Sequence, residues 1–287
     1  MGEAVGVVGS GLMGSGIAEV AARASCDVVV REVDSDACAA GLQRIESSLA
    51  RAVKHGKLTG QERNDALDRI RFTTDLDELA DREIVIEAVV EDEAEKQSVF
   101  RTLGKATTGT GCLLASNTSS VPIMKLASVT EQPERVIGMH FFNPVPVLPL
   151  VELVPSLLTS SQTLDRAQAF AAGRLGKQTV VAKDRAGFVV NALLVPYLLA
   201  AIRMVESGFA TAEDVDTAMV AGCAHPMGPL ALADLVGLDT TAAVAASLYA
   251  EFKEPLYAAP PLLLRMVDAG LLGRKSGRGF FDYHRDA

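Results

Sequence analysis

The sequence predicts an α/β protein in which a doubly wound, mostly parallel sheet with a helical hairpin insertion is followed by a smaller all-α domain. Three observations lead to this prediction. A short apolar run, a glycine cluster and a helical pattern follow one another near residue 1. Short apolar runs then alternate with helical patterns up to about Lys183, which is typical of a parallel sheet covered on both faces. Beyond that point only helical patterns occur.

The predicted strands are short apolar runs. They lie at 4–8, 28–30, 84–86, 112–115 and 136–139. The first is followed by a glycine cluster and then by helical spacing that begins at Leu12. The helical hairpin occupies about 36–70: one helix runs to residue 55, Gly56 and Gly60 interrupt it, and a second helix runs to about residue 70.

Four helical patterns follow residue 183, at 188–207, 211–221, 230–250 and 261–269. Gly208, Gly222 and Gly270 stand near the ends of three of them, where glycine commonly terminates a helix. We therefore expect a first domain of residues 1–184 and a second, all-helical domain of residues 185–287. Clefts between domains are common ligand sites.

Composition narrows the classes of protein that are compatible with the chain. Of 287 residues, 49% are hydrophobic and 22% charged, and 27 basic against 36 acidic residues give a net charge of −9. This balance is typical of a globular protein and disfavours general binding to nucleic acid or to an anionic membrane. None of the four cysteines belongs to a C-x-x-C pair, so no zinc site, other metal site or disulfide framework is predicted.

The longest apolar stretch, at 188–202, contains Asn191 and Pro196 and is shorter than the about 20 residues that span a bilayer. We interpret it as a core helix and expect no membrane partner. The N-terminal residues lack a basic segment followed by an apolar one, so no export signal is expected. Together with the few cysteines, this predicts a cytoplasmic protein.

A glycine-rich motif occupies residues 9–14. Gly9, Gly11 and Gly14, with Leu12 and Met13 between them, form G-x-G-x-x-G directly after an apolar strand and before a helix. That context is the one in which the motif binds a dinucleotide in a Rossmann-type fold, with the pyrophosphate at the helix N-terminus. A purely structural turn is the alternative. We predict that these five residues bind NAD.

Glu32 ends the second predicted strand, 18 residues beyond Gly14, near the distance at which an acidic residue binds the adenine ribose. A carboxylate there favours NAD and repels the additional phosphate of NADP. Arg31 complicates the prediction because a guanidinium can accommodate that phosphate, and Asp34 is a competing acid. The alternative is a solvated strand end.

His140 follows an apolar strand, and Glu152 lies in the next apolar run, 147–154. Ligands of open α/β sheets bind at the carboxyl ends of strands, where a histidine can serve as a general base near neutral pH. A buried carboxylate needs a partner, and a His–Glu pair would fix the imidazole tautomer. From spacing alone, a hydrogen-bonded structural histidine accounts for the pattern equally well.

Several longer segments carry a resemblance to a known family. They are VGVVGSGLMGSGIA at 5–18, ASNTSS at 115–120, MHFFNPVP at 139–146, LVE at 150–152, KDRAGFVVN at 183–191, PMGP at 226–229, GLD at 237–239 and KSGRGFFDY at 275–283. They cover nearly the whole chain in the family's order. On these residues the chain closely resembles the L-3-hydroxyacyl-CoA dehydrogenases, above all the bacterial single-function members that act on 3-hydroxybutyryl-CoA.

The resemblance implies a catalytic set within these segments. His140 matches the general base that takes the proton of the 3-hydroxyl, and Glu152 matches its orienting partner. Ser119 matches a hydrogen-bonding residue at the substrate and the nicotinamide. Asn191 matches the family residue that reaches the reacting oxygens from the helical domain. Without the resemblance, Ser119 would be interpreted as a turn residue and Asn191 as a helix cap.

The same resemblance implies further contacts to NAD and to the CoA part of the substrate. The implied cofactor contacts are Glu91, Lys96, Asn143 and Lys275. Without the resemblance, Asn143 would be interpreted as a turn residue and the other three as surface charges. For CoA, Ser48 and Lys54 of the hairpin match best, together with Ser119. Residues 47–60 contain Arg51, Lys54, His55 and Lys57 but no acid, so cationic side chains are available for phosphates. A solvated helix face is the alternative.

These observations together predict an NAD-dependent dehydrogenase of (S)-3-hydroxyacyl-CoA, with short acyl chains, in β-oxidation or butanoate metabolism. The resemblance also implies a homodimer formed through the C-terminal domain. Two alternatives stay open: a polyol or sugar-acid dehydrogenase of the same superfamily, and a catalytically silent, NADH-binding structural protein. The presence of Ser119, His140, Glu152 and Asn191 argues against loss of catalysis.

Overall fold

Residues 2–284 are described by a computed structural model, in which the chain divides into two compact units, Met1–Asp184 and Arg185–Ala287. Each unit has a hydrophobic core of its own. In the first, sheet residues such as Val7 and Ile86 pack with Ile17 of the first helix. In the second, helical residues such as Leu198 and Leu248 form the core. The two cores are built from the apolar runs that the sequence analysis identified.

The first unit contains an eight-stranded sheet in the order β3-β2-β1-β4-β5-β6-β7-β8. The strands are β1 (Ala4–Val8), β2 (Asp27–Arg31), β3 (Ile70–Thr73), β4 (Ile84–Glu87), β5 (Leu113–Ser116), β6 (Val136–Phe141), β7 (Leu150–Pro155) and β8 (Gln178–Val181). All neighbouring pairs are parallel except β6 and β7. The predicted doubly wound, mostly parallel sheet is confirmed.

Six α-helices accompany this sheet: α1 (Leu12–Arg23), α2 (Ser35–Lys54), α3 (Gly60–Leu67), α4 (Glu93–Ala106), α5 (Ile123–Ala127) and α6 (Ser161–Gln168). Helices α2 and α3 are the predicted hairpin. Asp34 caps α2 by accepting a hydrogen bond from the Ala37 amide at 2.8 Å, and Thr59 and Glu62 form a capping box at α3. These caps explain why the hairpin helices begin where they do.

The strand order places a topological switch point between β1 and β4. From β1 the chain proceeds outward to β2 and β3, and it then returns to the other side of β1 to build β4 and the strands beyond it. The last residues of β1 and β4, Val8 and Glu87, are paired in register. Ligands of open α/β sheets bind in the crevice at this point. The residues that bind the ligand are therefore expected in the segments that follow β1, β4, β5 and β6.

Three strands of the sheet were not predicted. The second helix of the hairpin was expected to run to about residue 70 and residues 71–73 were assigned no element, yet Ile70–Thr73 form β3, which pairs with β2. The run at 147–154 was recognised as apolar but not as a strand, and the short run that forms β8 was assigned no element. All three lie at or near the edges of the sheet, where pairing with a neighbouring strand decides the conformation of short segments more than their own side chains do.

The second unit is helical, as predicted. Its helices are α7 (Val190–Glu206), α8 (Ala212–Cys223), α9 (Pro229–Val236), α10 (Leu238–Phe252) and α11 (Pro261–Asp268). The prediction of one helix at 230–250 is wrong, because Gly237 adopts a φ of 101° that interrupts the helical hydrogen bonding. Helices α9 and α10 therefore meet at a bend of 94°. Within the described residues no single helix is long and apolar enough to cross a membrane; only this bent pair reaches the required length and composition.

Candidate active site

The glycine turn connects β1 to α1 at the switch point. Gly9 has a φ of 92°, which an L side chain rarely adopts, and a Cβ at Gly14 would lie 1.9 Å from the carbonyl oxygen of Gly9. Both positions therefore require glycine for the turn itself. At Gly11, by contrast, a Cβ would meet no heavy atom within 4 Å.

These three glycines match what NAD binding requires. Gly11 lies exposed at the start of α1, where the backbone is open to a ligand, and Leu12 and Met13 form the first residues of the helix. The turn thus leaves a space beside a helix N-terminus whose N–H groups and positive dipole end favour a pyrophosphate. The residues present are therefore compatible with NAD at this site.

Glu32 lies beside the same turn. Its carboxylate accepts two hydrogen bonds from Ser10, one from the backbone amide and one, at 2.9 Å, from the side-chain hydroxyl. Arg31 points elsewhere, since its Nε donates to the carbonyl oxygen of Thr74 at 3.3 Å. Asp34, the competing acid, is occupied as the N-cap of α2. Of the three candidates, Glu32 is the one that the fold places at the cofactor turn.

The carboxylate of Glu152 faces the imidazole of His140 across the antiparallel pair β6–β7. The two residues are direct partners in the register, and His140 Nδ1 lies 2.8 Å from Glu152 Oε2. The histidine is 7% exposed and the glutamate 0%. Because a carboxylate accepts, the Nδ1 that faces it carries the proton, and Nε2 is then the basic nitrogen. Phe142 packs edge-on against the imidazole with ring centroids 4.6 Å apart.

Two asparagines lie close to this pair in the chain or in space. The Oδ1 of Asn117 accepts a hydrogen bond from the Phe141 amide at 2.9 Å, which ties the end of β5 to the residue after His140. Asn143 is exposed three residues beyond His140. The segments after β5 and β6 are thus held side by side at the carboxyl edge of the sheet.

Ser119 belongs to the segment after β5, and its conformation depends on Glu91. The Glu91 Oε1 atom accepts from the Ser119 amide at 2.9 Å and from the Thr118 hydroxyl at 2.5 Å. Partial burial of Glu91 raises its pKa, but the Lys96 ammonium and the hydrogen bonds from Thr118 and Ser120 outweigh this effect and lower the pKa to about 2. The ammonium and the hydrogen bonds therefore favour the ionised form of Glu91.

Lys96 was predicted to contact the cofactor, and this role stays a prediction. Within the protein its ammonium has two carboxylate partners. Its Nζ lies 2.7 Å from Glu87 and 3.1 Å from Glu91, and the side chain is 1% exposed. Glu87 was not identified from the sequence, nor were Ser116 and Asn117. The available signal was their placement: Glu87 and Ser116 end adjacent parallel strands, where polar residues converge on the switch point.

Two predicted site residues lie in the second unit. Asn191 is in the first turn of α7. Lys275 lies in a short 3₁₀ turn, Arg274–Ser276, and its ammonium donates to Asp239 Oδ2 at 2.6 Å. Their roles toward substrate and cofactor stay predictions.

A cavity of about 350 Å³ lies between α1, α2 and the connection after β6. Its lining includes Asn143, Ser48, Arg44 and Arg51. Lys54 is exposed at the last residue of α2, one turn beyond Arg51. The predicted basic hairpin thus presents two arginines and Ser48 to a cavity that also reaches Asn143. Among residues 2–284, no group of three or more His, Cys, Asp or Glu side chains is arranged to hold a metal ion.

The site and the fold have close counterparts among known proteins. Residues 4–185 match the family model for the NAD binding domain of 3-hydroxyacyl-CoA dehydrogenase, and residues 187–283 match the model for its C-terminal domain. The match to an NAD-binding domain confirms the predicted cofactor.

Individual relatives agree with the family models. The chain is 62% identical over 279 residues to the 3-hydroxybutyryl-CoA dehydrogenase of Mycobacterium tuberculosis, covering 97% of this chain and 98% of that protein. It is 40% identical to human mitochondrial hydroxyacyl-coenzyme A dehydrogenase, covering 97% and 90%. A crystal structure of (S)-3-hydroxybutyryl-CoA dehydrogenase from Ralstonia eutropha superposes with a TM-score of 0.92 at 44% identity, covering 97% and 98%. The resemblance predicted from the sequence is confirmed: the chain belongs to the 3-hydroxyacyl-CoA dehydrogenase family.

Proposed function

We propose that the protein interconverts (S)-3-hydroxyacyl-CoA and 3-oxoacyl-CoA, with short acyl chains such as 3-hydroxybutyryl-CoA. It is an NAD-dependent oxidoreductase of the family identified above. The observation that carries the proposal is the buried pair of His140 and Glu152, which lies at the same sheet edge as the glycine turn. The preference for short chains is supported by the M. tuberculosis and R. eutropha relatives, which are named for 3-hydroxybutyryl-CoA.

The chemistry of this pair suits the oxidation of a secondary alcohol. NAD held at the turn of Gly9, Gly11 and Gly14 would supply the hydride acceptor for the carbon that carries the hydroxyl. His140 Nε2 takes the hydroxyl proton, and Glu152 stabilises the imidazolium that forms while it holds the ring in place. In the reverse direction the imidazolium returns this proton to the carbonyl oxygen. The resemblance assigns Ser119 a hydrogen bond at the substrate and the nicotinamide, and it assigns Asn191 a contact to the reacting oxygens.

The direct test follows NADH loss at 340 nm with acetoacetyl-CoA as substrate. Steady turnover with the CoA thioester is expected. A silent structural protein would bind NADH in a fluorescence titration without turnover. A polyol or sugar-acid dehydrogenase would oxidise such substrates and leave acetoacetyl-CoA unchanged. Either result would overturn the proposal.

We expect NADH to exceed NADPH in kcat/KM by roughly tenfold or more, because the 2′-phosphate of NADPH would meet the Glu32 carboxylate. Glu32→Ser is expected to reduce the ratio of kcat/KM for NADH to kcat/KM for NADPH, mainly by raising KM for NADH. Asp34→Ser is the matched control, since serine retains the helix cap. Initial rates with both cofactors measure the ratio. An equal kcat/KM in the wild type would mean that Arg31 outweighs Glu32.

The basic face of α2 is expected to bind the phosphates of CoA. A charge-assisted hydrogen bond contributes about 1.5–3 kcal/mol, and solvent exposure reduces that contribution. Arg51→Ala and Lys54→Ala should therefore each raise KM for acetoacetyl-CoA by about tenfold and lower kcat less. Because Arg51 lines the cavity and Lys54 lies beyond it, the arginine variant should show the larger change.

The control for these two variants is a truncated acetoacetyl thioester without the nucleotide. Its KM should be the same in wild type and variants. An equal weakening of both substrates would show that neither side chain binds a CoA phosphate. The homodimer through residues 185–287 stays a prediction of the resemblance, and light scattering of the purified protein tests it. The cytoplasmic location stays a prediction from the cysteine usage and the N-terminal residues.

A further inference from the structure

A side chain from the last residue of the first unit caps helix α5. The Asp184 carboxylate accepts hydrogen bonds from the Ile123 amide at Oδ1 and from the Met124 amide at Oδ2, both at 2.8 Å. Amides in the first turn of a helix have no partner within the helix. Pro122, at the N-cap position, forms no side-chain hydrogen bond to them. The first turn of α5 therefore depends on a residue that is 60 and 61 positions away from the two amides in the chain.

The sheet determines where Asp184 lies. Two residues before it, Ala182 is buried, and the Ala182 amide donates to the Leu153 carbonyl oxygen at 2.9 Å. This bond continues the parallel pairing of β7 and β8, in which Leu153 is the partner of Val181. The position of the Asp184 carboxylate is thus linked to β7, the strand that carries Glu152.

The first residue of α5 packs against β6, the strand that carries His140. Ile123 is buried, and a Cβ on Gly138 would lie 2.9 Å from Ile123 Cδ1 and 2.8 Å from the Cβ of Val154. Glycine at 138 therefore leaves the space that the isoleucine occupies. Side chains two residues apart on a strand point to the same face, so His140 lies on the face of the sheet that the start of α5 covers.

Ser119 lies in the short segment that connects β5 to α5. The Glu91 carboxylate holds the Ser119 amide at 2.9 Å, and only residues 120–122 separate Ser119 from Ile123. One of these residues is Pro122, whose ring fixes φ, here at −57°. The connection therefore has little freedom to absorb a shift of the helix, and a displaced first turn of α5 would move Ser119.

We propose that Asp184 is a positioning residue, which holds the first turn of α5 and thereby sets the position of Ser119 relative to His140. A carboxylate suits this task, because it accepts from two amides at once and is stabilised by the positive end of the helix dipole. The assignment rests on the proposed function, in which Ser119 forms a hydrogen bond at the substrate.

The test compares Asp184→Ala and Ser119→Ala, singly and together, in the reduction of acetoacetyl-CoA at saturating NADH. Asp184→Ala is expected to lower kcat by about tenfold or more, the effect of a small misplacement of one contact. The KM for acetoacetyl-CoA and the Kd for NADH, measured by fluorescence, should change less than kcat. Ser119→Ala should also lower kcat, because it removes the hydroxyl itself.

The double variant shows whether Asp184 acts through Ser119. In the Ser119→Ala background no hydroxyl is left to misplace, so Asp184→Ala should lower kcat by no more than about twofold further. If the two single losses multiply in the double variant, Asp184 acts independently of Ser119 and the proposal is overturned.

Asp184→Asn is the conservative variant. Its carbonyl oxygen can still accept from one amide of α5, whereas its NH₂ group cannot accept from the other. Its kcat is therefore expected to lie between those of the wild type and Asp184→Ala. Circular dichroism shows whether the variants are folded. Should Asp184→Ala fail to fold, the comparison with Ser119→Ala is made with Asp184→Asn instead.

The matched control is Ser160→Ala, which removes a helix cap elsewhere in the same unit. The Ser160 hydroxyl accepts from the Thr163 amide at 3.1 Å at the start of α6. Loss of this cap should lower the unfolding temperature and leave kcat at the wild-type level, whereas Asp184→Ala should lower both.

Three further results would overturn the proposal. A wild-type kcat in folded Asp184→Ala would show that the cap has no bearing on the reaction, and a wild-type kcat in Ser119→Ala would remove the residue through which it acts. An equal fall of kcat in Ser160→Ala would indicate a general effect of lost stability. Absence of turnover in the wild type is distinguishable from all three, because it contradicts the proposed function on which the assignment rests.

Discussion

The His140→Gln variant is expected to bind NADH as the wild type does and to lose about 10² to 10⁴ in kcat, the range for removal of a general acid–base group. Glutamine has a similar size, and its amide can still hydrogen-bond to Glu152, so the β6–β7 pair should stay folded. The amide cannot take up or release a proton near neutral pH, so the reaction loses its base while binding is retained. Acetoacetyl-CoA reduction at saturating NADH measures the loss.

The matched control is His284→Gln, which changes an exposed histidine near the end of the described chain. It should leave kcat unchanged. Near-wild-type turnover in folded His140→Gln would remove His140 from the mechanism. A loss of NADH affinity equal to the loss of kcat would indicate that the substitution disturbs the cofactor site instead.

The two glycine variants Gly11→Ala and Gly14→Ala are expected to fail in different ways. A Cβ at Gly11 has open space in the protein, so the variant should keep wild-type thermal stability. The cofactor pyrophosphate approaches the backbone there, and an overpacked contact costs about 1–3 kcal/mol, which corresponds to a roughly tenfold to hundredfold rise in Kd for NADH. A Cβ at Gly14 would overlap the Gly9 carbonyl, so that variant should lose thermal stability even without cofactor.

Fluorescence titration with NADH and thermal unfolding of the cofactor-free protein separate the two effects. Each variant serves as the control for the other. If Gly11→Ala lost stability as Gly14→Ala does, Gly11 would be a turn residue with no special relation to the cofactor. Unchanged NADH affinity in Gly11→Ala would mean that the pyrophosphate does not approach the turn as the motif predicts.

The features that the sequence predicts well are those with a local cause. The glycine turn follows from steric demands at single positions, and the start of α2 follows from the Asp34 cap. The edge strands β3 and β8 are different, since their four residues become extended by pairing with β2 and β7. At Gly237 the sequence predicted too much regular structure. The apolar pattern continues through this residue and predicted one helix, but its positive φ separates two helices.

The residues of the candidate site also differ in whether the sequence or only the folded structure indicates their role. His140 and Glu152 were paired in the sequence analysis because a buried carboxylate needs a partner, and the antiparallel register of β6 and β7 makes them direct neighbours. Glu87 is different, because its importance depends on partners from α4 and β5 that only the folded sheet brings together. Lys96 on an otherwise charged helix start has no sequence feature that distinguishes a buried ammonium from a solvated one.

The antiparallel pairing of β6 and β7 determines which changes of length the active site tolerates. Side chains alternate between the faces of a strand, so one residue inserted between Leu150 and Glu152 would turn the carboxylate to the opposite face of the sheet. The same insertion within the connection at 142–149 leaves the register intact, because pairing with β8, which sets Glu152 against Val180, also holds β7. Insertions and deletions that preserve the acid–base pair can therefore accumulate in the connecting turn, whereas the interiors of both strands accept only substitutions.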